Sequence, residues 1–135
     1  MMKKSILALV FAALLESSYA FADVVVIAHS GVPKMDSKTV SKIYTGKLIS
    51  VNGVNVTAVS LKTQSVKTRF LQNFVGLDEE KYIAYWTVRR HIGKGIPPKE
   101  LSTAEEVIRY VQSTPGAIGF IDDGDLKVGI NVISR

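Results

Sequence analysis

The sequence predicts an α/β domain in which helices flank a mixed β-sheet. Two apolar runs, Val24–Ala28 near the start and residues 117–121 near the end, are typical of strands buried inside a sheet. Between them lie segments with apolar residues at helical spacing, and one segment with the alternation typical of a strand. The predicted order is β-α-β-α-α-α-β-β. Helices placed between strands favour a layered domain in which they cover the sheet.

Residues 1–22 are predicted to be a secretory signal peptide that lies outside this fold. Lys3 and Lys4 precede an apolar run at residues 6–15, and Ala20-Phe21-Ala22 is a small-x-small cleavage site. The run is too short to span a bilayer. We therefore predict cleavage after Ala22, a periplasmic location, and a soluble mature domain at residues 23–135. The alternative is an uncleaved N-terminal anchor.

The first helix is predicted to begin at a cap formed by Asp36 or Ser37 and to run through Tyr44. Its apolar side chains fall on one face, and Gly46 stands where a left-handed C-cap is expected. Residues 47–49 are predicted to be a short extended piece.

A hairpin turn is predicted at Asn52-Gly53, a dipeptide that favours the positive backbone angles of such turns. The alternating residues 54–59 after it predict a strand. The helix that follows opens in the polar stretch at residues 60–70, runs through Phe74 and ends at Gly76.

The third helix starts at Asp78-Glu79-Glu80, whose negative charge suits a helix N-terminus. Tyr82, Ile83 and Trp86 are predicted to face inward. The helix ends at Arg89-Arg90-His91, and residues 93–98 form a loop because Pro97 and Pro98 cannot continue a helix.

A capping box at residues 102–105 predicts a fourth helix with Ala104, Val107, Ile108 and Val111 on its apolar face. Pro115-Gly116 ends it, and the strand at residues 117–121 follows. Residues 122–125 are predicted to be a hairpin turn that leads into a last strand at residues 126–133.

Composition argues against an enzyme or a metal protein. The chain has no cysteine and only two histidines, His29 and His91, which are far apart in the sequence. A metal site needs three or four suitably spaced ligands, and Asp122-Asp123-Gly124-Asp125 lacks the alternating ligands and closing Glu of a calcium loop. We therefore expect no catalytic residues, no metal and no cofactor.

The strongest candidate for a binding site is the polar stretch that opens the second helix. The first amides of a helix have no partner within the helix, and the helix dipole there favours negative charge. Ser60, Thr63, Gln64 and Ser65 supply hydroxyls and a carboxamide at this point, and Lys62 and Lys67 supply positive charge. The alternative is a helix capped by Thr63 or Ser65, with its basic side chains solvated.

Three segments together resemble a known family. They are residues 42–47, which contain Tyr44-Thr45-Gly46-Lys47; residues 84–99, with Ala84-Tyr85-Trp86 and the Gly93-to-Lys99 loop; and Pro115-Gly116-Ala117-Ile118-Gly119-Phe120. Over essentially the whole mature chain, the sequence resembles the phosphate-type periplasmic solute-binding proteins of ABC transporters, and specifically their short, single-lobe members.

The resemblance implies one lobe of a type 2 periplasmic-binding-protein fold, with Val24–Ala28 and residues 117–121 as strands that lead toward a hinge. The family's phosphate motif, Arg-x-x-x-Ser-Gly-Thr, falls on the polar stretch. Ser60 stands at the position of the Arg, Gln64 at the Ser, Ser65 at the Gly and Val66 at the Thr.

Two functions follow as expectations. The first is a substrate-binding protein that takes phosphate or another oxyanion for an ABC permease. The second is a single-lobe interaction module that docks on an envelope protein assembly and has no tight small-molecule ligand. The net charge of +5 is spread along the chain, so it suits an anionic ligand or surface and gives no indication of nucleic-acid binding.

Overall fold

A computed structural model describes residues 23–135, and the predicted signal peptide with its cleavage site lies outside this part of the chain. The helices are α1 (Ser37–Tyr44), α2 (Gln64–Phe70), α3 (Glu79–His91) and α4 (Ala104–Ser113). A π-helical turn, Leu71–Val75, extends α2, and a 3-10 turn is present at Asp123–Asp125. The strands are β1 (Val24–Ala28), β2 (Ser50–Val51), β3 (Val54–Asn55), β4 (Thr57–Leu61), β5 (Lys99–Leu101), β6 (Ala117–Asp122) and β7 (Asn131–Ser134).

The main sheet has five strands in the order β5-β4-β6-β1-β7. β4 pairs in parallel with both β5 and β6, whereas β1 pairs antiparallel with β6 and with β7. The sheet is therefore mixed, as predicted, and the carboxyl ends of β4, β5 and β6 meet at one edge. β2 and β3 form a separate two-stranded hairpin across Asn52 and Gly53, both of which have positive φ angles.

The centre of the sheet is closed on both faces. All five residues of β1 are buried, and so are the first five residues of β6, which confirms the prediction of buried strands. An aromatic cluster fills the space beneath α2: the Phe70 ring stacks on Phe120 at a centroid distance of 3.9 Å and meets Tyr44 edge-on at 4.6 Å. Because Tyr44 ends α1 and Phe70 ends α2, this cluster fixes both helices to β6.

The carbonyls at the end of α1 are capped by side chains of α3. Tyr82 Oη and Trp86 Nε1 both donate to the Tyr44 carbonyl, at 2.6 and 3.3 Å, and Tyr85 Oη donates to the Thr45 carbonyl at 2.8 Å. Gly46 has a φ of +73°, and a Cβ there would lie 2.8 Å from the Trp86 ring. The packing of α1 against α3 therefore requires the glycine of the Tyr-Thr-Gly motif.

Both glycines of the Pro-Gly-Ala-Ile-Gly-Phe motif also have packing roles. Gly116 has a φ of +77°, and a Cβ added there would lie 2.1 Å from the Asn55 carbonyl oxygen. At Gly119, a Cβ would lie 2.6 Å from Val107 on α4. The two glycines therefore allow β6 to approach β3 on one side and α4 on the other.

The predicted strand at residues 54–59 is wrong in its bounds, because the chain breaks at Val56. The Val56 amide donates to the Ile49 carbonyl, outside the main sheet, so that β3 stays in the hairpin and β4 begins at Thr57. Residues 47–49, predicted to be a short extended piece, lie ahead of the hairpin and outside its first strand, which starts at Ser50.

The prediction that Ile83 faces inward is wrong, because this side chain is 57% exposed. Tyr82 and Trp86, four residues apart, are the buried side chains of α3. Ile83 lies about 100° around the helix from Tyr82, which turns it away from the core.

The turn after β6 is not the predicted hairpin. β6 and β7 do not pair with each other; they lie on opposite sides of β1, and the chain crosses between them through the 3-10 turn. The last strand is Asn131–Ser134, shorter than the predicted residues 126–133. β5 was not predicted.

The capping box of α4 is displaced by one residue from its predicted position. The Thr103 side chain accepts a hydrogen bond from the Glu106 amide, and the Glu106 side chain accepts one from the Ser102 amide.

Candidate ligand-binding site

A cleft of about 560 Å³ opens at the sheet edge where β4, β5 and β6 end. In α/β folds, ligands bind outside the carboxyl ends of parallel strands, where loops lead into helix N-termini. Here the loops after β4 and β5 lead into α2 and α4. The walls of the cleft are formed by Leu61, Thr63, Ser65, Val66, Ser102, Thr103, Ala104, Glu105, Asp122 and Asp125.

The N-terminus of α2 differs from those of the other three helices. α1, α3 and α4 are capped by the side chains of Asp36, Asp78 and Thr103, each of which accepts a hydrogen bond from a backbone amide. Thr63 occupies the N-cap position of α2, but its side chain makes no such bond. The capped-helix alternative is therefore not what the structure shows at Thr63, and the first amides of α2 are left for another acceptor.

Lys67 is neutralised from within the molecule. Its ammonium group pairs with Glu79 at 3.1 Å and with Glu100, and its side chain is only 12% exposed. Burial acts to lower the pKa of Lys67, but the hydrogen bonds with Glu100 and Glu79 outweigh this effect and raise it. Gln64 joins the same network by donating to Glu79 at 3.0 Å and to Thr68 at 3.1 Å.

Arg69, the other cation of α2, is also paired. Its guanidinium contacts Asp122 at 2.9 Å, and Asp122 accepts a second hydrogen bond from the Gly124 amide at 2.8 Å. The Gly124 amide and the Arg69 guanidinium lower the pKa of Asp122. The ion pair joins α2 to the end of β6 at the edge of the cleft.

The structure does not bring all six predicted site residues together. Thr63 and Ser65 line the cleft, whereas Ser60 and Lys67 line a different groove, beside α3. Gln64 is bonded to Glu79, and Lys62 is exposed with no ion pair to any other residue in the range 23–135.

Sequence reasoning missed the far wall of the cleft. Ser102 and Thr103 come from the start of α4, and three carboxylates, Glu105, Asp122 and Asp125, stand around the opening. A signal was present, because the capping box marks a helix N-terminus. It was not connected with the site because β5, which carries α4 to this edge, was not predicted. Across the described residues, no group of three His, Asp or Glu side chains is arranged to hold a metal ion.

Solved structures of three proteins have a similar fold. An ABC-type phosphate transport receptor from Vibrio cholerae has a TM-score of 0.61 at 16% identity. A protein from Clostridium perfringens, described as a phosphate ABC transporter substrate-binding protein and solved with bound phosphate, has a TM-score of 0.63 at 21% identity. PstS from Borrelia burgdorferi has a TM-score of 0.57 at 17% identity.

The similarity covers 84–86% of this chain but only 45–49% of the other three, so the chain spans about half their length. No family model matches the sequence, and no curated protein matches it either. At these identities the likeness establishes the fold: a single α/β lobe of the type found in phosphate-type solute-binding proteins. The resemblance inferred from the three sequence segments is confirmed at that level.

Proposed function

We propose that this protein is a non-enzymatic solute-binding protein that binds phosphate or a related oxyanion weakly at the start of α2. The observation that carries the proposal is the α2 N-terminus, which lacks a side-chain cap and opens into a cleft at the carboxyl edge of the sheet. Thr63 and Ser65 add hydroxyl donors beside the free amides. The fold supports the proposal, since one protein that shares it was solved with bound phosphate.

The binding is expected to be weak because positive charge is scarce in the cleft. Lys67 and Arg69 are paired with carboxylates, and Ser60 stands where the family motif has its arginine. Glu105 and Asp125 add negative charge at the opening. Removing an oxyanion from water without a compensating cation is strongly disfavoured. Of the basic residues predicted for the site, Lys62 is the one without an ion pair to another described residue, so we expect it to supply the positive charge.

The proposal includes a location and a partner. The predicted signal peptide would deliver the domain to the periplasm, and an ABC permease would receive the solute. No helix in residues 23–135 is long and apolar enough to cross a membrane. The proteins of similar fold are described as transport receptors or substrate-binding proteins, which favours solute binding over the docking-module alternative and over an enzyme.

The test is a thermal-unfolding titration with sodium phosphate against sodium chloride at matched ionic strength. Ten times the Kd of a ligand stabilises the folded state by about 1.4 kcal/mol, which corresponds to a rise in Tm of roughly 5 °C for a domain of this size. We expect such a rise at tens of millimolar phosphate. An equal response to chloride would contradict the proposal.

Substitutions at the acidic rim separate the cleft from other anion sites. Glu105→Gln and Asp125→Asn each remove a repulsive charge, so each should lower the Kd for phosphate severalfold, on the order of 1 kcal/mol. Glu80→Gln makes the same charge change at the start of α3, away from the cleft, and serves as the control. If Glu80→Gln enhances binding as much as the rim variants do, the anion is not bound in this cleft.

A further inference from the structure

A second cavity lies beside α3 and is separate from the cleft. It has a volume of about 300 Å³ and is bounded by α3, by Ser60 on β4 and by Pro97 and Pro98 ahead of β5. Small-molecule sites have volumes of about 300–1,000 Å³ and are mostly apolar with a few polar groups. We call this cavity the α3 groove. Its size suits a ligand with a single ring or a short aliphatic chain.

The apolar walls of the groove are held in place. The Tyr82 and Trp86 rings line it, both side chains are buried, and both donate hydrogen bonds to the Tyr44 carbonyl. A ring that swung away would lose its own hydrogen bond to that carbonyl and would expose buried apolar surface. Ile83, which is exposed, completes the wall. A preformed wall favours binding because little ordering is needed when the ligand enters.

Two polar groups that line the groove have no partner within residues 23–135. Ser60 is only 5% exposed, yet its hydroxyl forms no hydrogen bond with another described residue. Arg90 is exposed at the end of α3 and forms no ion pair with any described residue. Among the described residues only Arg89 Nε is a fully buried side-chain polar atom without a partner, so the Ser60 hydroxyl is reached by solvent and can donate to an acceptor that enters the groove.

We propose that the α3 groove binds a small apolar monoanion, namely a carboxylate attached to one ring or to a short alkyl chain. The apolar body packs on Trp86 and Tyr82, and the carboxylate accepts hydrogen bonds from Arg90 and Ser60. Among the charged residues of the lining, Lys67 is neutralised by Glu79 and Glu100, so the charge that favours an anion is that of Arg90. Lys67 and Glu100 already pair with each other, which leaves Arg90 to meet the ligand.

Trp86 is the only tryptophan of the chain, so its fluorescence reports directly on the groove. The purified protein is titrated with sodium phenylacetate and with sodium hexanoate, excited where only Trp absorbs. We expect a saturable change in emission with both. Acetate, which lacks the apolar body, and phenylacetamide, which lacks the charge, should give no saturable change. Absence of saturation with both apolar anions up to solubility would overturn the proposal.

Variants assign the signal to named residues. Arg90→Gln and Ser60→Ala should each weaken phenylacetate binding, by about tenfold for the charged group and less for the hydroxyl. Arg109→Gln is the matched control, because Arg109 is exposed on α4 and lines neither the groove nor the cleft. If Arg90→Gln binds as the unmodified protein does while its circular dichroism is unchanged, the proposed site is wrong.

Two further measurements ask whether a second copy of the chain or phosphate occupies the α3 groove. Size-exclusion chromatography with and without phenylacetate reports whether another copy of the chain covers the groove. A change of oligomeric state when phenylacetate is added would overturn the proposal. Phosphate should not compete with phenylacetate, because the cleft and the groove are different cavities. The groove proposal therefore stands or fails independently of phosphate binding.

Discussion

Gly116 shows how a single residue can be required by its surroundings. Gly116 and Gly76 have nearly the same φ, +77° and +78°, but only Gly116 faces an obstacle, the Asn55 carbonyl, which would lie 2.1 Å from an added Cβ. We expect Gly76→Ala to cost about 1 kcal/mol through backbone strain alone. Gly116→Ala should cost about 3 kcal/mol or more, because β3 or β6 must also shift. Urea denaturation measures both, and equal losses of unfolding free energy would contradict the packing argument.

Asp122 gives the protein a pH-dependent contact at the edge of the cleft. Its pKa is lowered in the folded state by Gly124 and Arg69, so its contribution to stability is present above the ordinary Asp pKa and is lost as pH falls through the lowered value. Asp122→Asn should reduce stability at pH 7 by about 1 kcal/mol. The variant should also show a shallower loss of Tm below about pH 4. If the Tm of Asp122→Asn and that of the unmodified protein fall in parallel as the pH is lowered, the ion pair contributes nothing to stability.

At the scale of elements, α1 depends on α3 to satisfy its last carbonyls. Tyr82→Phe and Tyr85→Phe each remove one hydrogen bond to that helix end without removing a ring, and each should cost about 1 kcal/mol. Tyr110→Phe is the control, because the Tyr110 hydroxyl donates no hydrogen bond to the other described residues. Chemical denaturation measures the free energy of unfolding of the three variants. If Tyr110→Phe loses as much unfolding free energy as Tyr82→Phe and Tyr85→Phe do, the capping role is refuted.

The longer elements were predictable and the shortest were not, for a physical reason. Helical periodicity and capping residues located all four helices, and apolar runs located β1 and β6. β5 has only three residues, Lys99-Glu100-Leu101, of which two are charged, so nothing local marks it as a strand. It is a strand because it pairs with β4, and pairing is decided by the rest of the fold. The break at Val56 is likewise set by a hydrogen bond to Ile49.

At the scale of the whole molecule, the sequence located the stretch that opens α2 but not the charges around it. The partners of its polar side chains lie 15 residues away for Gln64, 33 for Lys67 and 53 for Arg69. A count of local charge therefore overstates the positive potential that a ligand would meet. The same separation explains why the predicted set divides between two cavities, since Ser60 and Lys67 face α3 while Thr63 and Ser65 face α4.

The position of β1 has a consequence for how the chain acquires its structure. β1 lies between β6 and β7, so the first strand of the domain finds its only sheet partners in the last two. Contacts between residues so distant along the chain require closure of a very long loop, and proteins dominated by such contacts fold slowly. β4 and β5 can pair before the end of the chain is present, but β1 cannot join the sheet until β6 and β7 are available. The sheet is completed only when nearly the whole domain, from β1 to β7, is available.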